Sequence, residues 1–237
     1  MRQSGRAFSM IELLVVISLA AVLIAILLPA FAGSRSTALR IISASQLRQI
    51  GLHFGEYVHE TGGYPFAGEG VFYPGACEGV RISFGYWGAD LHWPSLVLSD
   101  QQYDAYNSYL LAPRAIRNPE MCGHPTSYIY SRSFLARPAN WRSGEAPDPS
   151  LLRGVRDADI AHPSGKALLW DWELPYLPRE LVFQGRDLAE KTPILFVDMH
   201  VKERAPHEAT APVQSRMRPE PPQRLHDTPG GVAGVDF

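Results

Sequence analysis

The chain of 237 residues lacks a basic excess: 22 lysines and arginines stand against 24 acidic residues, leaving a formal net charge of −2. That removes the electrostatic footprint through which proteins hold nucleic acid, so no nucleic-acid partner is expected. Cysteine is scarce, at Cys77 and Cys122 alone. Two thiols exclude a disulfide-rich scaffold and leave room for one bridge, should this part of the chain be exported, or for two separate buried thiols. The chain has no internal repeat, no Walker loop, no Rossmann glycine pattern, no His-Glu-x-x-His and no Gly-x-Ser-x-Gly elbow. His162 and Ser164 are neighbours, but "HPSGK" reads as a turn. No catalytic residue is expected. Hydrophobic residues at 46% and charged residues at 19% are an ordinary balance for a folded domain.

Against those absences stands one long apolar run. From Leu13 to Leu28 the only polar residue is Ser18, and the stretch 8–32 is long enough as a helix to cross a hydrocarbon core of about 30 Å. Arg2 and Arg6 precede it, which favours a cytoplasmic N-terminus and an extracytoplasmic bulk. A cleaved secretory signal ending at "AFA", residues 30–32, fits this pattern, and so does an uncleaved anchor. Neither explains Glu12, because a carboxylate in a membrane segment costs a few kcal/mol unless it is paired.

The stretch "AFSMIELLVVI" resembles the prepilin signature of type IV pilins and type II secretion pseudopilins. The resemblance implies cleavage between Ala7 and Phe8 by a prepilin peptidase, N-methylation of the new Phe8 amine, and neutralisation of that amine by Glu12 of an adjacent subunit. Pro29 would then be the helix-kinking proline of the family. Ala7 departs from the usual glycine. The implied partners are the peptidase/N-methyltransferase, other pilin or pseudopilin subunits and the inner membrane, with the head on the periplasmic or extracytoplasmic side or in a fibre.

Beyond the membrane segment, Leu39, Ile42, Leu47, Ile50, Phe54 and Tyr57 continue one face of an amphipathic helix, which Gly62 and Gly63 should end. A single helix from Phe8 to Glu60 would be roughly 80 Å long. The residues 63–94 read as loop with short strands, and a short helix is expected from Asp100 to Leu111. Strands are expected in "SYIYSRSFL", at Ala167–Trp172 and at Ile194–Val201. The fold class expected is α+β: a long N-terminal helix packed on a small antiparallel sheet. The organisation expected is a leader at 1–7, a transmembrane and assembly helix at 8–32, its amphipathic continuation at 33–62, a head at 63–203 and a disordered Pro/Gly-rich tail at 204–237.

The head also resembles that of bacterial prepilin-like proteins: Tyr64–Pro65, Cys122 with Ser127–Tyr128, Pro163–Ser164 leading to Asp171, and a closing stretch from Phe196 to Val201. It departs from their pattern where Gly follows Cys122, where Met199 replaces a glycine, and where Leu188 replaces a histidine. Cofactors are not expected; calcium on Asp171, Asp198 and His200 is the weak alternative to Asp198 and His200 as a structural hydrogen-bonded pair. Trp170 and Trp172 should share a strand face, both buried or both exposed. A second functional reading is an exported or membrane-tethered binding domain, for glycan among other ligands, that uses its N-terminus only for targeting.

Overall fold

The structure, a computed structural model, describes residues 9–68, 70–75, 79–99, 109–115, 126–142, 148–177, 190–214 and 220–237. The chain divides into two compact units, Met1–Leu39 and Arg40–Phe237. Helix α1, Met10–Thr61, supplies nearly all that is described of the first unit and enters the second. It is unbroken through Pro29, whose missing N–H removes one backbone bond. Ser36 and Thr37 soon after return their hydroxyls to the Gly33 carbonyl, at 2.9 and 3.1 Å. The helix stops as expected at Gly62, whose N–H closes on the Val58 carbonyl at φ +73°.

In the second unit, two two-residue strands, β1 (Tyr73–Pro74) and β2 (Arg81–Ile82), pair antiparallel. Short helices α2 (Ala89–His92) and α3 (Pro94–Val97) follow. The main sheet is antiparallel in the order β3-β4-β5-β6: Tyr128–Tyr130, Ala167–Asp171, Thr192–Phe196 and Val201–Arg204. The expected α+β layout is therefore present. Of the expected helix from Asp100 to Leu111, only Tyr109 and Leu110 are helical among the described residues, and 100–108 lie outside them.

Period-two alternation sorts the sheet into two faces. Tyr128, Tyr130, Asp171 and Leu195 point toward the 43–54 stretch of α1, where Ser43, Gln46, Gly51 and Phe54 meet them. Ile129, Ala167, Trp170, Ile194 and Phe196 point the other way and pack with Ala209, Leu225 and Phe237. A register shift between Ala167 and Leu169 lets Ala167 and Trp170, three residues apart, share that face.

Two expectations are corrected. The tail expected to be disordered instead forms, in its described residues 204–214 and 220–237, a strap over the second sheet face. Leu225 and Val232 are buried, the Asp236 N–H donates to the Gly165 carbonyl, and the Thr210 N–H donates to the Asp236 carbonyl. Its apolar residues are scattered to suit one sheet face, so they show no period. Its Pro/Gly content makes turns that fit this path: Gly231, at φ +59°, lies where a Cβ would fall 2.2 Å from Trp141. The expected strand Ile194–Val201 is in fact two strands joined by a tight turn at 197–200. Met199 holds the left-handed conformation there, at φ +68°. Nothing in a methionine announces such a turn.

Candidate functional site

The first candidate is the start of α1. Ser9 caps it: the Ser9 hydroxyl accepts from the Ile11 N–H at 3.3 Å, and the Glu12 carboxylate accepts from the Ser9 N–H at 2.9 Å. "SMIE" is thus a capping-box arrangement, which satisfies two of the amides that every helix start leaves open. The serine-x-x-glutamate spacing could have revealed it from sequence. Only one of the carboxylate's two oxygens is used by this bond. From Met10 to Leu28 the large apolar side chains stand exposed, and among the described residues α1 is the one helix long and apolar enough to cross a membrane. Ala7 and Phe8 lie outside the described residues, as do Cys77 and Cys122, so the cleavage bond and the disulfide expectation receive no geometry.

The second candidate, Asp171 with Asp198 and His200, does not come together. Asp198 and His200 sit in the turn between β5 and β6, where the His200 ring nitrogen Nδ1 lies 2.5 Å from the Asp198 carboxylate. Asp171 ends β4 beside Thr192, at the far end of β5 from that turn. Among the described residues no group of three or more His, Cys, Asp or Glu side chains is placed to hold a metal. The reading of Asp198 and His200 as sharing one face of a strand fails because the chain reverses between them. Met199, in the glycine's place, carries its sulfur toward Gly51 and Gly55 on α1. Their missing side chains leave the notch it fills.

Asp171 has a different setting. It is 0% exposed, accepts from the Ser43 hydroxyl at 2.8 Å and from the Leu174 N–H at 3.1 Å. Burial pushes its carboxyl up to about 6, and the two donors only partly oppose that. Ser43 also lies 3.2 Å from the Tyr128 hydroxyl, which donates to Gln46 at 2.8 Å. Glu173 accepts from Ser127 at 2.8 Å, and burial raises its carboxyl too. The two tryptophans expected to behave alike do not: Trp170 is 5% exposed and Trp172 39%, because β4 ends at Asp171.

One cluster escaped the sequence reading. Lys166 is fully buried, with its ammonium 3.0 Å from Asp236, 2.9 Å from Ser133 and 2.6 Å from Thr228. Asp236 also accepts from the Ala167 N–H at 2.9 Å. Burial lowers the Lys166 amine, opposed by the charge of Asp236. A serine beside a lysine can be a nucleophile and its base. Here the Ser133 hydroxyl donates to the His226 carbonyl and all four side chains are buried, Thr228 and Asp236 coming from the strap itself, so the cluster ties the strap down. His162 and Ser164 flank Pro163 in a single 3₁₀ turn, as "HPSGK" suggested. A cleft of about 450 Å³ opens beside Gly55 and His59, with Tyr64, Asp157 and Met199 among its walls.

Compared with known families, the chain matches the prokaryotic N-terminal methylation motif over residues 2–28. This is the signature of type IV pilin and pseudopilin precursors, and it spans Ala7, Phe8 and Glu12. Compared with the curated proteins and with the solved structures, the chain has no significant match.

Proposed function

We propose that this chain is a structural subunit of a type IV pilus-like fibre or a type II secretion pseudopilus, assembled through α1. The observation that carries the reading is Glu12, the one acidic residue in an otherwise apolar helix start, within a matched methylation motif. In this reading a prepilin peptidase cuts between Ala7 and Phe8 on the cytoplasmic side and methylates the Phe8 amine. The oxygen of Glu12 that Ser9 leaves free then accepts the Phe8 ammonium of a neighbouring subunit. Pairing lowers the cost of a charge in hydrocarbon, so helices that bundle in register are favoured over those that do not. The unit Arg40–Phe237 is carried on the extracytoplasmic side. The chain acts as the substrate of an enzyme rather than as an enzyme.

Mass spectrometry of the mature N-terminus tests this. The expected product begins at a methylated Phe8. A mature chain beginning at Gly33, or one with residue 1 retained in cells that process other prepilins, overturns it.

A further inference from the structure

Among the described residues no cation lies against Asp171, although it closes the join between α1 and the sheet. From α1, Ser43 donates to it and Gln46 lies behind the Tyr128 hydroxyl. Arg40, one turn earlier on α1, is directed to Glu190 at 3.5 Å. From β3 comes Tyr128, from the turn after β4 come Leu174, Tyr176 and Glu173, and from β5 comes Thr192, whose hydroxyl donates to the Asp171 carbonyl. Every titratable neighbour in that set is a phenol or a carboxylate. Leu174 is itself fully buried and held at φ +43°, a conformation that leucine seldom adopts. Its N–H is fixed by the same carboxylate.

We propose that Asp171 is a proton-operated staple between α1 and the sheet. With the proton bound, a neutral carboxyl sits in a dry site between the Ser43 hydroxyl on one oxygen and the Leu174 N–H on the other, and the seam at Ser43 stays closed. Without it, a buried charge faces Glu173 and no counter-ion among the described residues, and the turn at Leu174 and the stretch of α1 around Ser43 open more often. The folded-state value of about 6 lies above the ordinary 3.8, so the stabilisation is fully present below the ordinary value and is lost as pH rises through the folded one. Assembly is not required for any of this. If the proposed function also holds, the head meets ambient pH outside the cytoplasm, and the staple makes its hold on α1 responsive to that pH.

The test uses the full chain in detergent micelles, wild type against Asp171→Asn. Wild-type melting temperature is expected to fall between about pH 5 and about pH 8 by roughly 5 °C more than that of the variant, which melts above wild type at the higher pH. Amide exchange over residues 40–47 should be several-fold faster in wild type than in the variant at the higher pH and equal at the lower. Parallel pH slopes in the two proteins overturn the proposal. Should the variant fail to fold, the wild-type amides of Leu174 and Ser43 decide: an NMR titration midpoint near 6 supports the staple, and a midpoint below about 5 overturns it.

Discussion

From Met10 to Leu28, large apolar side chains lie open along a single helix. From Arg40 onward the chain buries Phe54, Trp93, Tyr130, Phe134 and Phe196 within itself. The two units satisfy the same hydrophobic demand in different ways. The second finds its partners within its own sequence, in α1, the sheet and the strap. Among the described residues nothing in the first unit covers its apolar side chains, which fits a segment anchored in a membrane. Chemical specificity follows the same division. The helix start has a matched motif and a charge out of place. The head has a defined core and lies outside the matched motif. The helix start carries a recognisable signature, whereas the head needs volume, alternation and satisfied polar groups.

That contrast can be broken at several points. The largest effect is expected in the head, at the buried Lys166–Asp236 pair. Asp236→Ala should cost about 3–5 kcal/mol in denaturant unfolding of the full chain, because it strands a buried ammonium. Lys166→Met combined with Asp236→Leu should recover most of that loss. If Asp236→Ala is nearly neutral, the strap is not tied down as described. In the helix start, Glu12→Gln keeps an acceptor for the Ser9 N–H but removes the charge. Cleavage and membrane insertion should continue, while incorporation into fibres, measured by shearing and immunoblot, falls roughly a hundredfold. Normal incorporation of that variant would make Glu12 a helix cap and nothing more. At the join of α1 with β5, Gly51→Ala brings a methyl to 3.2 Å from Leu195 and 3.3 Å from the Met199 sulfur. A loss of about 1–2 kcal/mol is expected by thermal unfolding. Trp172→Ala, beyond the end of β4, should shift stability by less than about 1 kcal/mol, unlike Trp170→Ala on the strap face.

The parts legible in the sequence were those with a period or a motif. The face of α1 that enters the head was read in part from its three-four spacing: Leu47, Ile50 and Phe54 are buried, whereas Ile42 is 47% exposed and the buried Ser43 and Val58 were not assigned to that face. Strand β3 was legible from the alternation in "SYIYSRSFL", although it stops at Tyr130 and Arg132–Phe134 form a 3₁₀ turn instead; β4 was legible as the run after the turn at 162–165. The β5–β6 turn was not, because a residue at positive φ is foreseeable when it is glycine and hidden when it is methionine; the Gly51 notch that accommodates it lies 148 positions earlier in sequence. The strap was misread because its order comes from a partner surface, not from its own composition. Asp171 was singled out for its oxygen atoms. Its burial depends on Ser43, Tyr128 and Leu174 converging from three directions, which no local pattern displays.

The strap has one consequence in time. Most residues that complete the outer sheet face lie between 209 and 237, while the helix that must enter the membrane ends by Thr61. A ribosome has therefore delivered the hydrophobic helix long before the head can close. Until residue 237 has emerged, the cover that the strap gives Trp170, Ile194 and Phe196 is incomplete and Lys166 lacks Asp236. Such long-range closure folds slowly and leaves strand faces open to misassociation. During that interval the half-made head depends on whatever shields nascent chains at the membrane, and a stalled or clipped chain would be a sticky one.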